Sequence, residues 1–466
     1  MIKDINTVEG SIIDADICII GTGAAGITLG LELANSGQKV IMLEAGSMQK
    51  TEISQSFYDL ENASLPMDAN SRIRTFGGTT TVWGGGWKPL DPIDVERRDW
   101  VPFSGWPLTR ETLIPYYERG AKIFSGPALG DFEIGNLGEL FRNKFILNSD
   151  KIKTTLLRIL PRGKWNFAES YREFFESNTS VEVFFNAPVT KILLDHTQRK
   201  VVQVNVQTTL GKKLVIRAKN FVVACGGIEN ARLLLFSEIG NGYDQVGRYY
   251  MDHPKLVSGV FVPKKRNLDL SLYWKTQDVK GVAIAGLQLS ESSQRSLLVL
   301  NSYAGLTLSR SVMDWFAGGK EFKLKNFIEQ APRPENRISL GSKTDMFGNP
   351  LTKTEWLLSD IDKKSLFGLH VVLKEEFKLH NLGDLSSPIL ENTETFASIR
   401  DASHHMGTTR MGLDPKYSVV DENCRIHDVT NLFIAGSSVF PTSGNANPTA
   451  TIIALAIRLA DHMRSL

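Results

Sequence analysis

The chain has 466 residues, with 53 Lys and Arg against 51 Asp and Glu and a hydrophobic share of 42%. That length predicts two or three units, since domains run to about 100–200 residues. A formal net charge of +2 gives no signal for a nucleic-acid or polyanion partner. The short basic runs Lys212-Lys213 and Lys264-Lys265-Arg266 read as solvated turns. Cys18, Cys225 and Cys424 lie far apart without CxxC spacing, so neither a disulfide framework nor a metal site is expected, and a reducing compartment fits. The polar, acidic stretch Met1 to Asp16 lacks the basic and apolar regions of a signal peptide, and no apolar run reaches the roughly 20 residues that span a bilayer. A soluble, cytoplasmic protein without an intrinsic membrane segment is the expectation.

Along the chain, Asp16 to Ile20 (DICII) predicts a buried parallel strand. A glycine-rich turn follows, then helical spacing over Ile27 to Leu33, a stop at Gly37, and a second buried strand over Lys39 to Leu43 that ends at Glu44. Together these make a β-α-β unit of about thirty residues. Residues 52–180 are mixed, with a Gly/Thr-rich segment from Gly77 to Gly86 and an aromatic-rich stretch from Trp100 to Tyr117. Between 181 and 225 the pieces VEVFF, VTKILL, VVQVNVQT, KLVIRA and FVVAC, punctuated by Gly211 and Asn220, predict a β-meander running back into a buried strand. Within such runs Cys18 and Cys225 read as small buried hydrophobes. Alternating segments from about 256 to 345, including Leu256 to Val262, Val282 to Leu289 and Leu297 to Leu308, predict an antiparallel sheet with one wet face. Residues 363–381 read as a helix, Asn431 to Ala435 as a strand and Pro448 to Leu466 as a final helix. The stripe Ile452, Ile453, Leu455, Ala456, Leu459, Ala460 and Met463 on that helix predicts core packing. No long linker appears, so the domains should be interleaved in sequence.

Gly21-Thr-Gly23-Ala24-Ala25-Gly26 is a GxGxxG turn placed directly between a strand and a helix. Gly21 permits the tight turn, Gly23 lets backbone approach a pyrophosphate, and Gly26 lets helix and strand pack closely. The phosphates then meet free N–H groups at the helix N-terminus. Glu44, at the end of the second strand, is placed to accept both hydroxyls of an adenosine ribose and to repel a 2′-phosphate. The turn alone does not separate NAD from FAD.

Two further segments carry a resemblance. One is Gly77-Gly-Thr-Thr-Thr-Val-Trp-Gly-Gly-Gly-Trp-Lys-Pro89, followed by Trp106-Pro and Pro115-Tyr-Tyr. The other is His404-His-Met-Gly-Thr-Thr-Arg-Met-Gly412, followed by Asn431 to Pro441 (NLFIAGSSVFP) and Asn447-Pro-Thr. With the N-terminal turn, and with Gly247-Arg-Tyr-Tyr-Met-Asp-His-Pro254 between them, these resemble the glucose–methanol–choline oxidoreductases. The C-terminal portion is most similar to the sugar-oxidising branch of pyranose oxidases and gluconate-type dehydrogenases.

The resemblance implies an α/β (overall α+β) fold, in which a Rossmann-like FAD-binding domain (1–95, 180–255 and 400–466) is interleaved with an antiparallel-sheet substrate domain (96–179 and 256–399). It implies FAD contacts at Gly21, Gly23, Ala24, Ala25, Gly26, Glu44, Ala45, Gly77, Gly78, Thr81, Val82, Val189, Cys225, Gly226, Gly436, Ser437, Asn447, Pro448 and Thr449. It further implies oxidation of an alcohol group of a sugar, aminosugar or polyol by hydride transfer to flavin N5, with His404 and Asn447 as the catalytic pair. An electron acceptor (oxygen, a quinone or a partner protein) is left open, and so is oxidase against dehydrogenase. A lyase on the same fold is the alternative reading. Val82 stands where some relatives carry a flavin-linking histidine, so non-covalent FAD is expected.

The residues agree with this assignment. A histidine suits removal of a hydroxyl proton near neutral pH. Asn447 ahead of Pro448 and Thr449 reads as a helix N-cap that also reaches the substrate oxygen. Adjacent His404 and His405 in extended backbone point opposite ways, so one faces the substrate, and His404 is the choice. His253 reads as structural or supporting, and His196, His370, His380, His427 and His462 as surface.

Overall fold

The protein is described from a computed structural model, which covers all residues except 65–66, 138–143, 266–267, 275, 279–280, 310–320, 392–395 and 397. Arg266 of the predicted basic turn, and parts of the 96–179 and 256–399 segments, lie outside the described residues. Labelled in chain order, the elements that position the site are β1 (Ile12–Ile20), α1 (Ala24–Leu33), β2 (Val40–Leu43), β3 (Ile152–Ile159), β4 (Val181–Phe185), β5 (Lys213–Val223), α2 (Gly226–Ser237), β6 (Lys255–Pro263), β7 (Gly281–Leu289), β8 (Ser302–Leu308), β9 (Phe322–Ile328), α3 (Asp360–Leu379), β10 (Leu432–Ile434) and α4 (Thr449–Arg464).

The first sheet has eight strands, among them β4, β2, β1 and β5 in that order, with β10 added alongside β5. These pairings are parallel. The buried strands read as continuous apolar runs because helices cover both faces. Registers of Ile20 with Leu43, Ile20 with Val223, and Val223 with Ile434 bring four strand ends level at one edge. α1 and α4 pack on one another, and the predicted α4 stripe is core, with Ile453, Leu455, Leu459 and Met463 buried.

The predicted five-piece meander is corrected in two respects. Val181–Phe185 is a parallel strand, paired with Ile2–Asp4 and β2, and takes no part in it. KLVIRA and FVVAC form the single strand β5, because Asn220 pairs in register with Ile17 and does not interrupt the ladder. Only Val189–Leu194, Val201–Gln207 and β5 form the meander.

The second eight-stranded sheet runs Gly383–Ser386, β6, β9, β8, β7, β3 and Gly86–Trp87, with Thr276–Asp278 paired to β7. β3 comes from the stretch read as mixed. Its alternation of buried and half-buried residues, Ile152 to Ile159, is the period-2 signature of a strand with one covered face. α3 covers the buried face with Leu369, Leu373 and Phe377. Arg337–Thr344, expected in this sheet, belongs instead to a three-stranded sheet with Pro350–Glu355 and Leu60–Ala63. Among the described residues no helix is long and apolar enough to cross a membrane.

Between the two large sheets lies a buried polar junction. Lys88 donates to Asn445 Oδ1 at 2.7 Å and to Asp91 Oδ2 at 3.2 Å, while Asn445 Nδ2 reaches Asn301 Oδ1 at 2.8 Å and Gln288 Oε1 at 3.2 Å. Beside it Arg98 and Glu329, both fully buried, pair through two hydrogen bonds of 2.9 and 2.5 Å, and Glu329 also accepts the Asn301 N–H at 2.7 Å. Breaking such a pair strands the remaining charge without water. Arg98→Met should therefore cost about 3–5 kcal/mol, checked as a lowered midpoint in chemical unfolding of the flavin-loaded protein.

Candidate active site

The level strand ends continue into the residues that line one cavity of about 770 Å³. β1 runs into Gly21, β2 into Glu44 and Ala45, β5 into Cys225 and Gly226, and β10 into Gly436 and Ser437. This is the carboxyl edge of a parallel sheet, where ligands of open α/β folds bind. The volume is within the usual range for cofactor and ligand sites.

Close approach builds the edge. Gly21 has φ +105°, and a Cβ there would lie 2.5 Å from Ala224 O. A Cβ on Gly26 would lie 2.0 Å from Gly21 O, so helix and turn touch backbone to backbone. Gly23 and Gly226 have open space where a side chain would project. Three helices, α1, α2 and α4, begin at the cavity, and none has a side-chain hydrogen bond at its N-cap, which is Gly23, Cys225 and Pro448 respectively. Free N–H groups and the positive ends of the helix dipoles thus converge on one space. Glu44 is buried at the same edge. Its Oε2 accepts from Thr22 Oγ1 at 2.5 Å and its Oε1 from Gly46 N–H at 2.8 Å. Those bonds aim the carboxylate and leave acceptor capacity for ribose hydroxyls.

Of the residues expected at the cofactor, Gly21, Gly23, Ala24, Ala25, Glu44, Ala45, Gly78, Val82, Val189, Cys225, Gly226, Gly436, Ser437, Asn447, Pro448 and Thr449 line the cavity. Gly26, Gly77 and Thr81 are not lining residues. Gly26 acts through packing. Gly77 has φ +85° and lies against Ala168, where a Cβ would come within 2.9 Å of backbone. The Thr81 hydroxyl is spent on Gly78 O at 2.9 Å. Cys225 is a half-buried cavity residue past the end of β5, with burial pushing its thiol up to about 12. Ile452 also lines the cavity in addition to packing on the core.

The sequence reading missed the Arg72–Arg74 side. Arg72 pairs with Glu229 at 3.0 Å. The Arg74 guanidinium lies over Phe57 and Tyr58 at 4.8 and 5.0 Å, with Nη1 buried and lacking a protein partner. Two arginines just ahead of Gly77-Gly78 were a visible signal for an anion. Leu157 and Ile159 of β3 were also missed, and they bring the second sheet to the cavity.

His404, Asn447 and His253 meet at the other end. His404 Nδ1 lies 2.9 Å from His253 Nδ1, and His404 Nε2 lies 3.4 Å from Asn447 Nδ2. His253 Nε2 lies 3.3 Å from Ser443 O. A carbonyl only accepts, so His253 Nε2 carries the proton and its Nδ1 is a lone pair. His404 Nδ1 must then donate, which leaves the lone pair on Nε2, beside Asn447. Burial holds His253 neutral, with its pKa pulled down to about 4. Burial, then the His253 ring, pulls His404 well below the ordinary histidine value.

Asn447 is not the N-cap expected. Pro448 occupies that position and α4 begins at Thr449, so the Asn447 amide is free to turn to His404. Gly86 makes room for it, since a Cβ there would lie 3.2 Å from Asn447 Cγ.

His405 also lines the cavity, but its ring nitrogen points to two buried acids. Its Nε2 lies 3.6 Å from Asp401 Oδ1 and 4.0 Å from Asp252 Oδ2, and the three buried polar atoms fall within 4.8 Å of one another. Asp252 Oδ1 accepts the N–H groups of His253 and Ala402. Burial and the facing Asp401 raise the Asp252 pKa well above the usual carboxylate range, while the neighbouring Asp252 and His405 hold Asp401 low. Asp252 therefore keeps its proton while Asp401 is ionised, and the pair presents one negative charge.

The remaining histidines divide. His196 and His380 are exposed, as expected. His370 is fully buried, between Ser258 Oγ and Asn326 Oδ1 on Nε2 and Ser387 Oγ on Nδ1, which corrects its surface assignment. His427 and His462 are half-buried, His427 against Ser418 Oγ at 2.8 Å.

A nucleotide cradle facing a histidine–asparagine pair across one cavity defines a dinucleotide-dependent oxidoreductase. Residues 16–71 match an FAD binding domain, and residues 164–255 and 332–456 match the two parts of the GMC oxidoreductase family. The chain belongs to that family, whose members are FAD enzymes acting on CH–OH groups. It is 24% identical to 2-methyl-1,2-propanediol dehydrogenase of Mycolicibacterium austroafricanum, over 96% of this chain and 95% of that one. It is likewise 24% identical to 6'''-hydroxyparomomycin C oxidase of Streptomyces lividus, over 96% and 92%. Among solved structures, pyridoxine 4-oxidase from Mesorbium loti superposes with a TM-score of 0.63 at 18% identity, over 96% of this chain and 99% of that one. At that identity the superposition speaks to the fold.

Glu44→Ala should release the groups that aim the carboxylate and remove two charge-assisted ribose bonds worth about 1.5–3 kcal/mol each. FAD affinity should fall at least about tenfold, read by equilibrium binding to stripped protein; unchanged affinity would contradict the assignment.

Proposed function

We propose that the chain oxidises a carbon-bound hydroxyl of a sugar or polyol, with His404 as the base and Asn447 as the group that holds the reacting oxygen. The carrying observation is the lone pair of His404 Nε2 set beside Asn447 Nδ2 at the cavity. The 1–95, 180–255 and 400–466 segments are proposed to hold FAD, and the 96–179 and 256–399 segments the substrate. Names of relatives such as hydroxyparomomycin oxidase and paromamine 6'-oxidase support a carbohydrate-type alcohol.

Bound FAD supplies the hydride acceptor. The free N–H groups of α1 and the Arg74 guanidinium would take its phosphates, Glu44 its ribose, and the α4 N-terminus its electron-rich ring edge. Val82 offers no nucleophile, which supports non-covalent attachment.

The substrate hydroxyl donates to His404 Nε2 and accepts from Asn447 Nδ2. As the C–H hydride departs, the O–H proton passes to Nε2 and the carbonyl forms. His404 then carries both ring protons, still donating through Nδ1 to His253, whose lone pair suits that imidazolium. His253, lowered to about 4, does not compete for the proton.

His404→Ala should slow anaerobic flavin reduction about 10²–10⁴-fold with FAD content near normal, and His405→Ala should do far less. If His405→Ala abolishes reduction while His404→Ala does not, the wrong histidine has been assigned. Because the His404 pKa lies below 6.5, the base stays deprotonated as pH falls from 8 toward 6. The stopped-flow reduction rate should therefore stay flat across that window, and an acid limb centred at or above 6.5 would refute the assignment.

His253→Gln can still accept from His404 and donate to Ser443 O, whereas His253→Leu can do neither. Leucine should shift His404 from the Nδ1–H to a mixed tautomer in ¹⁵N-histidine NMR, with glutamine keeping the native spectrum. Identical spectra in the two variants would remove His253 from the positioning role.

A further inference from the structure

The register of the second sheet puts one set of side chains on the face that meets the cavity. From Leu157 and Ile159 of β3 that face runs through Ile284, Gly286 and Gln288 of β7, then Tyr303 of β8, which pairs with Gln288, then Phe327 and Lys325 of β9, and finally Lys255 of β6, which pairs with Phe327. Leu157 and Ile159 line the cavity. Tyr303 lies flat across Gly286, where a Cβ would come within 1.8 Å of its ring, and beside Gly305. Phe327 follows at 6.2 Å between centroids, and Lys325 Nζ lies 5.4 Å from the Phe327 centroid. The face is an aliphatic and aromatic platform that ends in cations.

Lys255 is two residues beyond His253. Its backbone exchanges both hydrogen bonds with Arg400, at 3.0 Å each, so the Lys255 and Arg400 side chains leave the same side of the pair. Among the described residues Lys255, Lys325 and Arg400 have no carboxylate partner. Like charges directly opposite one another destabilise a sheet, and here Lys255 and Arg400 face each other, with Lys325, exposed like Arg400, on the neighbouring strand. The fields are felt locally. Burial and Lys255 lower the Lys325 pKa, and Lys255 is among the charges that lower His404, together with His253 and His405, against Asp401. The nearby acids do not neutralise the patch, because Asp401 and Asp252 are buried and carry one charge between them, held by Ser403, His253 and Ala402.

We propose that the alcohol substrate carries an anionic group, a carboxylate or a phosphate, which Lys255, Lys325 and Arg400 bind while its carbon skeleton rests on Tyr303 and Phe327 and its hydroxyl reaches His404. This rests on the alcohol-oxidation reading and narrows it, since a cationic aminosugar is disfavoured by the same three charges. An anion there also cancels the field of Lys255 on His404, so the base strengthens when the right substrate binds.

Flavin-loaded protein is titrated calorimetrically with glucuronate, glucose 6-phosphate, glucose and glucosamine. At least one of the two anions should bind about tenfold more tightly than glucose, and glucosamine more weakly than glucose. Preference for glucuronate identifies a carboxylate, and preference for glucose 6-phosphate a phosphate. Lys325→Glu combined with Arg400→Glu should bring the anion-to-glucose affinity ratio to one or below; Lys325→Gln, a milder change, should lower it part of the way and serves if the double variant does not fold. A native ratio near one, absence of binding by either anion, or a ratio unmoved by the variants overturns the inference. Failure of every alcohol to bleach the flavin anaerobically would instead overturn the oxidation reading, because the calorimetric arm does not depend on turnover.

Discussion

Three helices open at one cavity without a side chain to cap them, and the surrounding architecture follows from that constraint. Uncapped N–H groups at a helix start must find water or a negative ligand. Gathering them requires the strands that precede α1 and α2 to end level, which the parallel pairing of β5 with β1 and with β10 achieves. β5 is thus the strand that joins the beginning of the chain to its end. Glycines at 21 and 26 bring backbone to backbone where any Cβ would collide. The nucleotide site is therefore made mostly of main chain, with Glu44 as its principal anchored side chain.

The proposed chemistry rests on side chains instead, and their order comes from a hydrogen-bond chain that ends on a fixed acceptor. Ser443 O dictates the His253 proton, His253 dictates the His404 proton, and His404 then offers its remaining lone pair to the cavity. Ser443 itself is tied to the second sheet, donating to Gln330 O and accepting from Gln330 N–H. The protonation state of His404, the proposed base, is in this way linked to how the two sheets meet. The Lys88–Asn445 junction lies a few residues from Asn447 and fixes the same loop from its other side. Asp94, which accepts from Asn301 Nδ2 of the junction at 2.9 Å, is raised to about 7 by burial and by Asp91, so the junction sheds one of its possible charges near neutrality rather than burying them all.

How much of this could be read beforehand depended on whether the signal was local. GxGxxG, Glu44 and the His404 and Asn447 segments were legible because backbone geometry demands glycine, or chemistry demands imidazole, at fixed spacing. The strand β3 was not, because Ile152 to Ile159 contains Lys153, Thr154, Thr155 and Arg158 and shows its alternation only once a sheet covers one face. Asn220 seemed a break by composition, yet tertiary pairing overrode that preference. His370 was placed on the surface because nothing nearby in sequence announces Ser258, Asn326 and Ser387 as its partners. The Asn447 cap was a reasonable local rule that lost to Pro448, which took the position and left the amide for the site.

The two kinds of polar group in this molecule are treated in opposite ways, and the contrast bears on function. Around Arg98, Glu329, Lys88 and Asp91 most charged groups have partners and are withdrawn from water. Buried networks of this sort hold surfaces in one relation, since leaving any member unpaired is costly. Lys255, Lys325 and Arg400 lie on the same sheet system but are left without carboxylates among the described residues. Lys325 and Arg400 are exposed and Lys255 half-buried, so water stands where a carboxylate would and an anionic ligand can displace it. Cations left unpaired beside a base therefore read as an interaction withheld from folding and kept for a ligand, just as the uncapped helix ends are withheld for the cofactor.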